Sequence, residues 1–262
     1  MPRWVEILGR IGHFARGVVY FVVGLLAFKL AIGTGGELAG AQDAIREIGR
    51  QPFGQVLLII TALGLLAYAG WRWVQAAKDT EGLGTDFKGV AKRLGFAGSG
   101  VVHAFLGVFA AFQAFGSEMS SGQSDSGADW LLTNTSGQFL LGIAGIVTIG
   151  VGCFIVHKGV KSKFMSRYDF TAMSENMRKT ALWAGRIGLI TRGVAFAIIG
   201  GFLISSAWFG SSRDEISGLD DALAFIMTQP YGTVLLAITG VGFMCYAVHT
   251  SMMGWFRRFN VK

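Results

Sequence analysis

Six long apolar segments, separated by polar linkers, dominate the pattern of hydrophobic and polar positions along the chain. Each is long enough to cross a hydrocarbon layer of about 30 Å as an α-helix. Two short stretches before Pro52 and Pro230 carry apolar residues on one helical side, which predicts short helices lying on the membrane surface. The chain is therefore predicted to be an all-α integral membrane protein. Its six transmembrane helices are expected at residues 14–32, 55–75, 94–115, 137–157, 187–209 and 232–254.

The first helix of every pair carries the same spaced residues, so the chain contains a threefold internal repeat. Arg10, Gly12, Gly17 and Gly24 have identical counterparts 83 residues later and again a further 93 residues later, without a gap. The counterparts are Arg93, Gly95, Gly100 and Gly107, then Arg186, Gly188, Gly193 and Gly200. The glycines seven residues apart predict close helix packing. The repeat predicts a single membrane domain, residues 1–262, with units at about 1–80, 81–174 and 175–262.

The second helices of the outer two units also resemble each other. Gln51-Pro-Phe-Gly54 recurs as Gln229-Pro-Tyr-Gly232, with Asp43 and Asp221 at the same offset upstream. Every unit begins and ends on the same side of the membrane, so the three are parallel repeats, which are related by an axis along the membrane normal. The sequence predicts a six-helix bundle with approximate threefold symmetry about that normal.

Composition agrees with a membrane protein and fixes an expected orientation. The chain is 52% hydrophobic and 15% charged, whereas soluble domains are about 25% charged. Sixteen of the 23 lysines and arginines lie on the side that carries both termini, and three lie in the opposite linkers. The positive-inside rule then predicts cytoplasmic termini. The net charge of +7 favours contact with anionic phospholipid on the cytoplasmic side over nucleic-acid binding.

The spaced motifs resemble those of a known family. The Ala15-Arg-Gly17 and Thr191-Arg-Gly193 triplets, the repeat glycines and the aromatic-glycine turns are similar to those of bacterial integral membrane proteins with three copies of a two-helix unit. That family has no assigned activity, so the resemblance supports the topology and adds nothing about chemistry. We expect the protein to reside in a bacterial inner membrane. The middle copy departs most, because Ser99 replaces an arginine and Asn-Thr-Ser-Gly replaces Gln-Pro-aromatic-Gly.

A candidate binding site follows from superposing the repeats. Arg16, Ser99 and Arg192 fall at one level, with Tyr20, His103 and Phe196 one turn deeper. Two intramembrane arginines without a carboxylate suit an anion or a lipid headgroup, because a guanidinium offers paired donors. The alternative is that both arginines extend to phosphates at the membrane surface and serve only as anchors.

Haem binding is a further hypothesis, since His157 and His249 each lie three residues after an aromatic residue and paired histidines on separate helices can ligate iron. The alternative is that both histidines simply lie near the membrane surface. We expect no cofactor and no metal site. The sequence contains none of the common hydrolase, zinc-protease or phosphate-loop motifs and no acidic residue within a span, so we expect no enzymatic activity.

Two kinds of function agree with these patterns. The first is a helical scaffold that binds lipid or a partner membrane protein through its glycine-striped helices and its basic side. The second is a small channel or transporter in which Arg16 and Arg192 select an anionic solute. Close glycine packing leaves little room for a lumen, so the first is favoured.

Overall fold

The computed structural model describes residues 3–116, 132, 134–209 and 218–258, and in that part of the chain the fold is entirely helical. Two short 3-10 segments, Lys163–Arg167 and Phe170–Ala172, lie between the helices that end at Val160 and begin at Glu175. The α-helices are α1 Arg3–Ala31, α2 Ala41–Arg50, α3 Gly54–Lys78, α4 Phe87–Ala114, α5 Thr135–Val160, α6 Glu175–Phe209, α7 Leu219–Thr228 and α8 Gly232–Phe256.

Six of these helices, all but α2 and α7, are long and apolar enough to span a membrane. The six predicted spans lie within them or overrun an end by a residue, so the predicted topology of a multi-pass membrane protein is confirmed. Several helices extend beyond the apolar segment at one end. The 35 residues of α6 would measure about 52 Å at 1.5 Å per residue, well beyond a hydrocarbon layer of about 30 Å. We call the side with both chain ends and the α3–α4 and α5–α6 linkers the basic face.

The six spanning helices pack in the order α4, α3, α1, α8, α6, α5. The most extensive contacts join different units: α1 with α8, α3 with α4, and α5 with α6. Within the first and third units, α1 packs on α3 and α6 packs on α8. Within the middle unit, α4 and α5 share no comparable packing among the described residues. The predicted threefold arrangement is therefore present as a ring that is open on its α4–α5 side.

The repeat glycines make the contacts between units possible. A Cβ on Gly24 would lie 2.6 Å from the carbonyl oxygen of Gly240 on α8. On α6, a Cβ on Gly200 would lie 2.6 Å from the carbonyl oxygen of Gly145 on α5. On α4, a Cβ on Gly107 would lie 2.8 Å from the side chain of Leu66 on α3. The glycine stripe thus brings each unit's first helix against the second helix of the preceding unit.

The Gln-Pro-aromatic-Gly motif is a turn that reverses the chain at the opposite face. Phe53 and Tyr231 have φ angles of 62°, in the left-handed region that side chains seldom adopt. The glycine that follows each is fixed by backbone crowding, because a Cβ on Gly54 would collide with the Gly49 carbonyl, and the same holds for Gly232 and Met227. Both aromatic rings are exposed.

The short helices α2 and α7 differ from the surface helices that the sequence predicts. Asp43 accepts a hydrogen bond of 3.0 Å from the Gly40 amide, and Asp221 accepts the same bond from Gly218, which caps both N-termini. Their apolar sides are buried against the spanning helices rather than left for lipid. The buried residues are Ala44, Ile45 and Ile48 on α2 and Ala222, Leu223 and Ile226 on α7.

Candidate functional site

Arginines and tyrosines from four helices meet inside the ring, in the half of the bundle nearer the basic face. Arg16 and Tyr20 lie on α1, Arg192 on α6, and the remaining members come from the second helices α3 and α8. We call this group the arginine–tyrosine cluster, and its members are Arg16, Tyr20, Tyr68, Arg72, Arg192 and Tyr246.

Arg16 is the most enclosed arginine of the cluster, with 6% of its surface exposed. Its Nη1 donates a 2.6 Å hydrogen bond to the Tyr68 hydroxyl. Its guanidinium carbon lies 5.1 to 5.6 Å from the centres of the Tyr20, Tyr68 and Tyr246 rings. A guanidinium over an aromatic face is stabilised by the ring quadrupole, more so when water is excluded. Arg16 is therefore held inside the protein, which differs from an anchor extended to the membrane surface.

Arg192 occupies the equivalent place in the third unit and is half-buried. Its Nη1 donates a 3.2 Å hydrogen bond to Tyr246. Its guanidinium carbon lies 4.6 Å from the centre of the Phe196 ring and 5.8 Å from that of Tyr20. Tyr20 thus lies beside both arginines.

The middle unit reaches the cluster through α3. Arg72 Nε donates a 3.2 Å hydrogen bond to the Ser99 hydroxyl, and its guanidinium lies over the Tyr68 and Phe96 rings. The His103 ring centre lies 4.6 Å from that of Tyr68, and its Nδ1 is 2.7 Å from the carbonyl oxygen of Ser99. Ser99 and His103 therefore lie at the edge of the cluster, in contact with Arg72 and Tyr68.

The cluster has three guanidinium groups and no carboxylate among its members. In the described part of the chain, the buried Nε atoms of Arg16 and Arg192 have no hydrogen-bond partner. Buried polar groups are normally hydrogen-bonded, and a buried cation normally has a counter-charge. The arrangement is complementary to an anion with several oxygen acceptors.

The nearest acid in this network, Glu81, is already engaged at the basic face. It accepts hydrogen bonds from Arg167 and Arg257, and Gln75 links it to Arg72. Burial alone would raise the pKa of Glu81, but the charges of Arg167 and Arg257 outweigh burial and hold the pKa below its usual value. Burial lowers the pKa of Arg257 to about 10, so it stays charged at neutral pH.

The arginines that open the three repeats have a separate, structural role. Arg10 donates hydrogen bonds to the carbonyls of Gly254 and Trp255 at the end of α8. Arg93 does the same for Ala76 and Ala77 at the end of α3. Helix C-termini present free carbonyls and partial negative charge, which a cation stabilises. The equivalent Arg186 donates to Ser162 beside the end of α5.

The two histidines of the haem hypothesis lie in different surroundings. His157 is exposed, with its Nε2 3.1 Å from Lys163 Nζ. His249 is buried and its Nδ1 is 2.9 Å from the Tyr168 hydroxyl. The packing aligns Val156 with Ser251, since they meet the equivalent Gly193 and Gly17. His249 therefore corresponds to Phe154, and the expectation of matched places is wrong. Haem ligation itself stays a prediction, which a visible spectrum tests.

Sequence reasoning brought Arg16, Tyr20 and Arg192 together but missed the second-helix members. Tyr68 and Tyr246 each lie 14 residues after the turn glycines Gly54 and Gly232. That equal spacing was a usable signal, because the same offset on two equivalent helices gives the same depth and rotation. Arg72 has no such signal, since its repeat counterparts are not basic.

Comparison with known proteins identifies the repeat and no chemistry. The family described as Domain of Unknown Function (DUF1206) matches residues 11–79, 94–162 and 187–257, one match in each unit. An "Uncharacterized protein YxxB" of Bacillus subtilis (strain 168) is 33% identical over 251 residues, which cover 96% of this chain and 90% of that protein. No solved structure matches the chain.

Proposed function

Because this chain belongs to the DUF1206 family of three-repeat helical membrane proteins, whose description assigns no activity, we propose its function from the geometry. The protein binds an anionic lipid headgroup at the arginine–tyrosine cluster. The protein acts as a non-enzymatic helical scaffold, and the cluster holds the phosphate. The observation that carries the proposal is the group of three guanidiniums without a carboxylate, two of which have buried Nε atoms without a partner.

The position of the cluster supports a headgroup rather than a transported solute. It lies in the half of the bundle nearer the basic face, where lipid phosphates would reach it from one leaflet. Towards mid-membrane the interior is filled by aromatic rings. Tyr20 stacks on Phe243 with ring centres 5.8 Å apart and meets Tyr246 edge-on at 4.8 Å. This packing disfavours an axial path, and so favours the scaffold over the anion channel.

The charge of the basic face supports an anionic lipid over a zwitterionic one. Each basic residue near a negatively charged leaflet contributes about 1 kcal/mol of attraction. A guanidinium also matches the geometry of a phosphate with two parallel donors. We propose in addition that this face is cytoplasmic and that the protein resides in a bacterial inner membrane.

The test is retention of phosphatidylglycerol by the detergent-purified protein, counted by native mass spectrometry. Replacing Arg72→Gln and Arg192→Gln together should lower retention at least tenfold, because a hydrogen bond to a charged group contributes about 1.5 to 3 kcal/mol. The matched control is Lys92→Gln with Arg178→Gln, which removes two exposed charges from the same face. Equal retention in the two double variants would contradict the proposal. A loss of phosphatidylcholine equal to that of phosphatidylglycerol would show that charge is not recognised.

A further inference from the structure

The open side of the ring is lined by residues whose repeat counterparts are buried. Val102 on α4 is 55% exposed, whereas its counterparts Val19 and Ala195 are 2% and 1% exposed. On α5, Val151 is 41% exposed, whereas its counterparts Tyr68 and Tyr246 are buried. In the middle unit, the faces of α4 and α5 that correspond to the buried intra-unit interfaces of the other two units are therefore exposed.

The first glycine of each repeat shows the same difference between the middle unit and the other two, because it contacts a partner helix only in the latter. A Cβ on Gly12 would lie 2.5 Å from the Tyr68 Cα, and one on Gly188 would collide with Tyr246. The equivalent Gly95 on α4 meets nothing within 4 Å, and neither does Gly98 one turn further. The middle unit thus keeps an interface glycine without the interface. We call this gap the α4–α5 cleft, lined by Gly95, Gly98, Val102, Val147, Val151 and Phe154.

The cleft leads to the arginine–tyrosine cluster because of two replacements in the middle unit. Ser99 stands where the other units have arginine, and Val151 stands where they have tyrosine. Arg16 is covered on its α8 side by Tyr246, whereas the residue in that place for Arg192 is Val151. Ser99 and Val151 are shorter than the arginine and tyrosine of the other units. Arg192 is therefore only half-buried, and Arg72 lies beside Ser99 at the wall of the cleft.

We propose that the α4–α5 cleft holds one acyl chain of an anionic glycerophospholipid whose phosphate lies on Arg72 and Arg192. This rests on the headgroup function proposed above and adds the second half of the ligand. The cleft has the polarity of such a lipid, with guanidiniums at the level of Ser99 and the apolar side chains of Val102 and Val147 further in. The absence of a carboxylate in the cluster argues for a phosphate-bearing occupant over an apolar helix.

The cleft ends near the middle of the membrane. Leu106 packs against the buried core, so the part of α4 that is open beyond the level of the arginines runs from Ser99 to about Leu106. Seven residues at 1.5 Å per residue give about 10 Å, a third of a hydrocarbon layer of about 30 Å. Beyond that level α4 is covered by α2, where Arg46 lies over the Phe109 ring. A chain that entered the cleft would end near mid-membrane.

The experiment compares a long-chain and a short-chain lipid with the same headgroup, dioleoyl and dihexanoyl phosphatidylglycerol. Val102→Trp fills the cleft, and its control Val101→Trp lies next to it on a side that is exposed in all three copies. We expect Val102→Trp to lower retention of the dioleoyl lipid at least fivefold and to leave binding of the dihexanoyl lipid within twofold. Val101→Trp should match the parent for both. Size-exclusion profiles and thermal unfolding confirm that the variants are folded.

A second pair on the facing helix guards against a misfolded variant. Val147→Phe narrows the cleft from α5, where both counterparts, Gly64 and Gly242, are buried in interfaces. Ile146→Phe is its control on the exposed side. Unchanged dioleoyl retention in both cleft variants would overturn the acyl-chain site. So would a copurifying protein that is lost from the cleft variants while lipid retention stays constant.

The failure of this inference and of the headgroup function are distinguishable. If the Arg72→Gln, Arg192→Gln variant loses both lipids while the cleft variants lose neither, the headgroup function stands and the acyl-chain site is overturned. If the arginine variant loses neither lipid, the headgroup function fails, and the acyl-chain proposal fails with it. Loss of both lipids in the folded cleft variants would overturn the division of the ligand between cleft and cluster.

Discussion

Glu81 pairs with two arginines at the basic face, Arg167 and Arg257. Its carboxylate is mostly buried and is shared by Arg167 and Arg257. Removing one partner of a buried ion pair leaves the other charge without compensation, which typically costs 3 to 5 kcal/mol. Glu81 is therefore more important for stability than its exposed neighbours in sequence.

We predict that Glu81→Gln lowers the free energy of unfolding by about 3 kcal/mol, measured by denaturation in mild detergent. The pKa of Glu81 is depressed in the folded protein, so its stabilising contribution is complete above the ordinary carboxyl pKa of about 4.3. It is lost as the pH falls below that value towards the folded pKa. The parent should therefore lose stability on acidification more steeply than Glu81→Gln.

Glu175→Gln is the control for this prediction. Glu175 pairs with Lys179 on the exposed surface of α6, and such pairs contribute less than about 1 kcal/mol. An equal loss of stability in the two variants would contradict the assigned importance of Glu81.

At the scale of elements, the interface between two helices of one unit is set by glycines that touch the partner's backbone. This contact exists in the first and third units and is absent from the middle one, although all three glycines are identical in sequence. Adding a methyl group at Gly12 can therefore be compared with adding one at Gly95, where no partner helix is in contact.

We predict that Gly12→Ala destabilises the protein by about 1 to 3 kcal/mol, the usual cost of overpacking, because the added Cβ would press on Tyr68. The matched change Gly95→Ala meets open space and should be neutral or stabilising by up to about 1 kcal/mol, since alanine is the better helix former. Thermal unfolding of the two variants in the same detergent measures both. A similar loss in Gly95→Ala would contradict the open α4–α5 side.

Much of the element-level structure could be predicted from the sequence, and the reasons for the misses are physical. Hydropathy and the repeat gave the spans because both report depth in the membrane. They do not report helix rotation, so they do not predict that Tyr68 and Tyr246 face the cluster. Neither do they report what covers an apolar face, which is why α2 was expected on the membrane surface and is packed on the bundle. Gly95 shows that a repeated residue does not guarantee a repeated contact, because Gly12 and Gly188 pack on a partner helix and Gly95 does not.

For the whole molecule, the distribution of charge predicts an orientation. A reporter fused after residue 85 or after residue 170, both in linkers of the basic face, should be active only in a cytoplasmic assay, because sixteen basic residues lie on that side. A fusion near residue 35, in the first linker on the opposite face, should report a periplasmic location. Periplasmic activity from the residue 85 fusion would contradict the orientation and place the cluster in the other leaflet.

The open ring has a mechanical consequence for the molecule. Helices α1–α4 form one half and α5–α8 the other, and α1 against α8 is the most extensive helix contact joining them. Rotation of the two halves about that seam would widen or narrow the opposite gap while every span stays intact. Glu81 in the first half pairs with Arg167 and Arg257 in the second, so its carboxylate would limit how far the two halves separate.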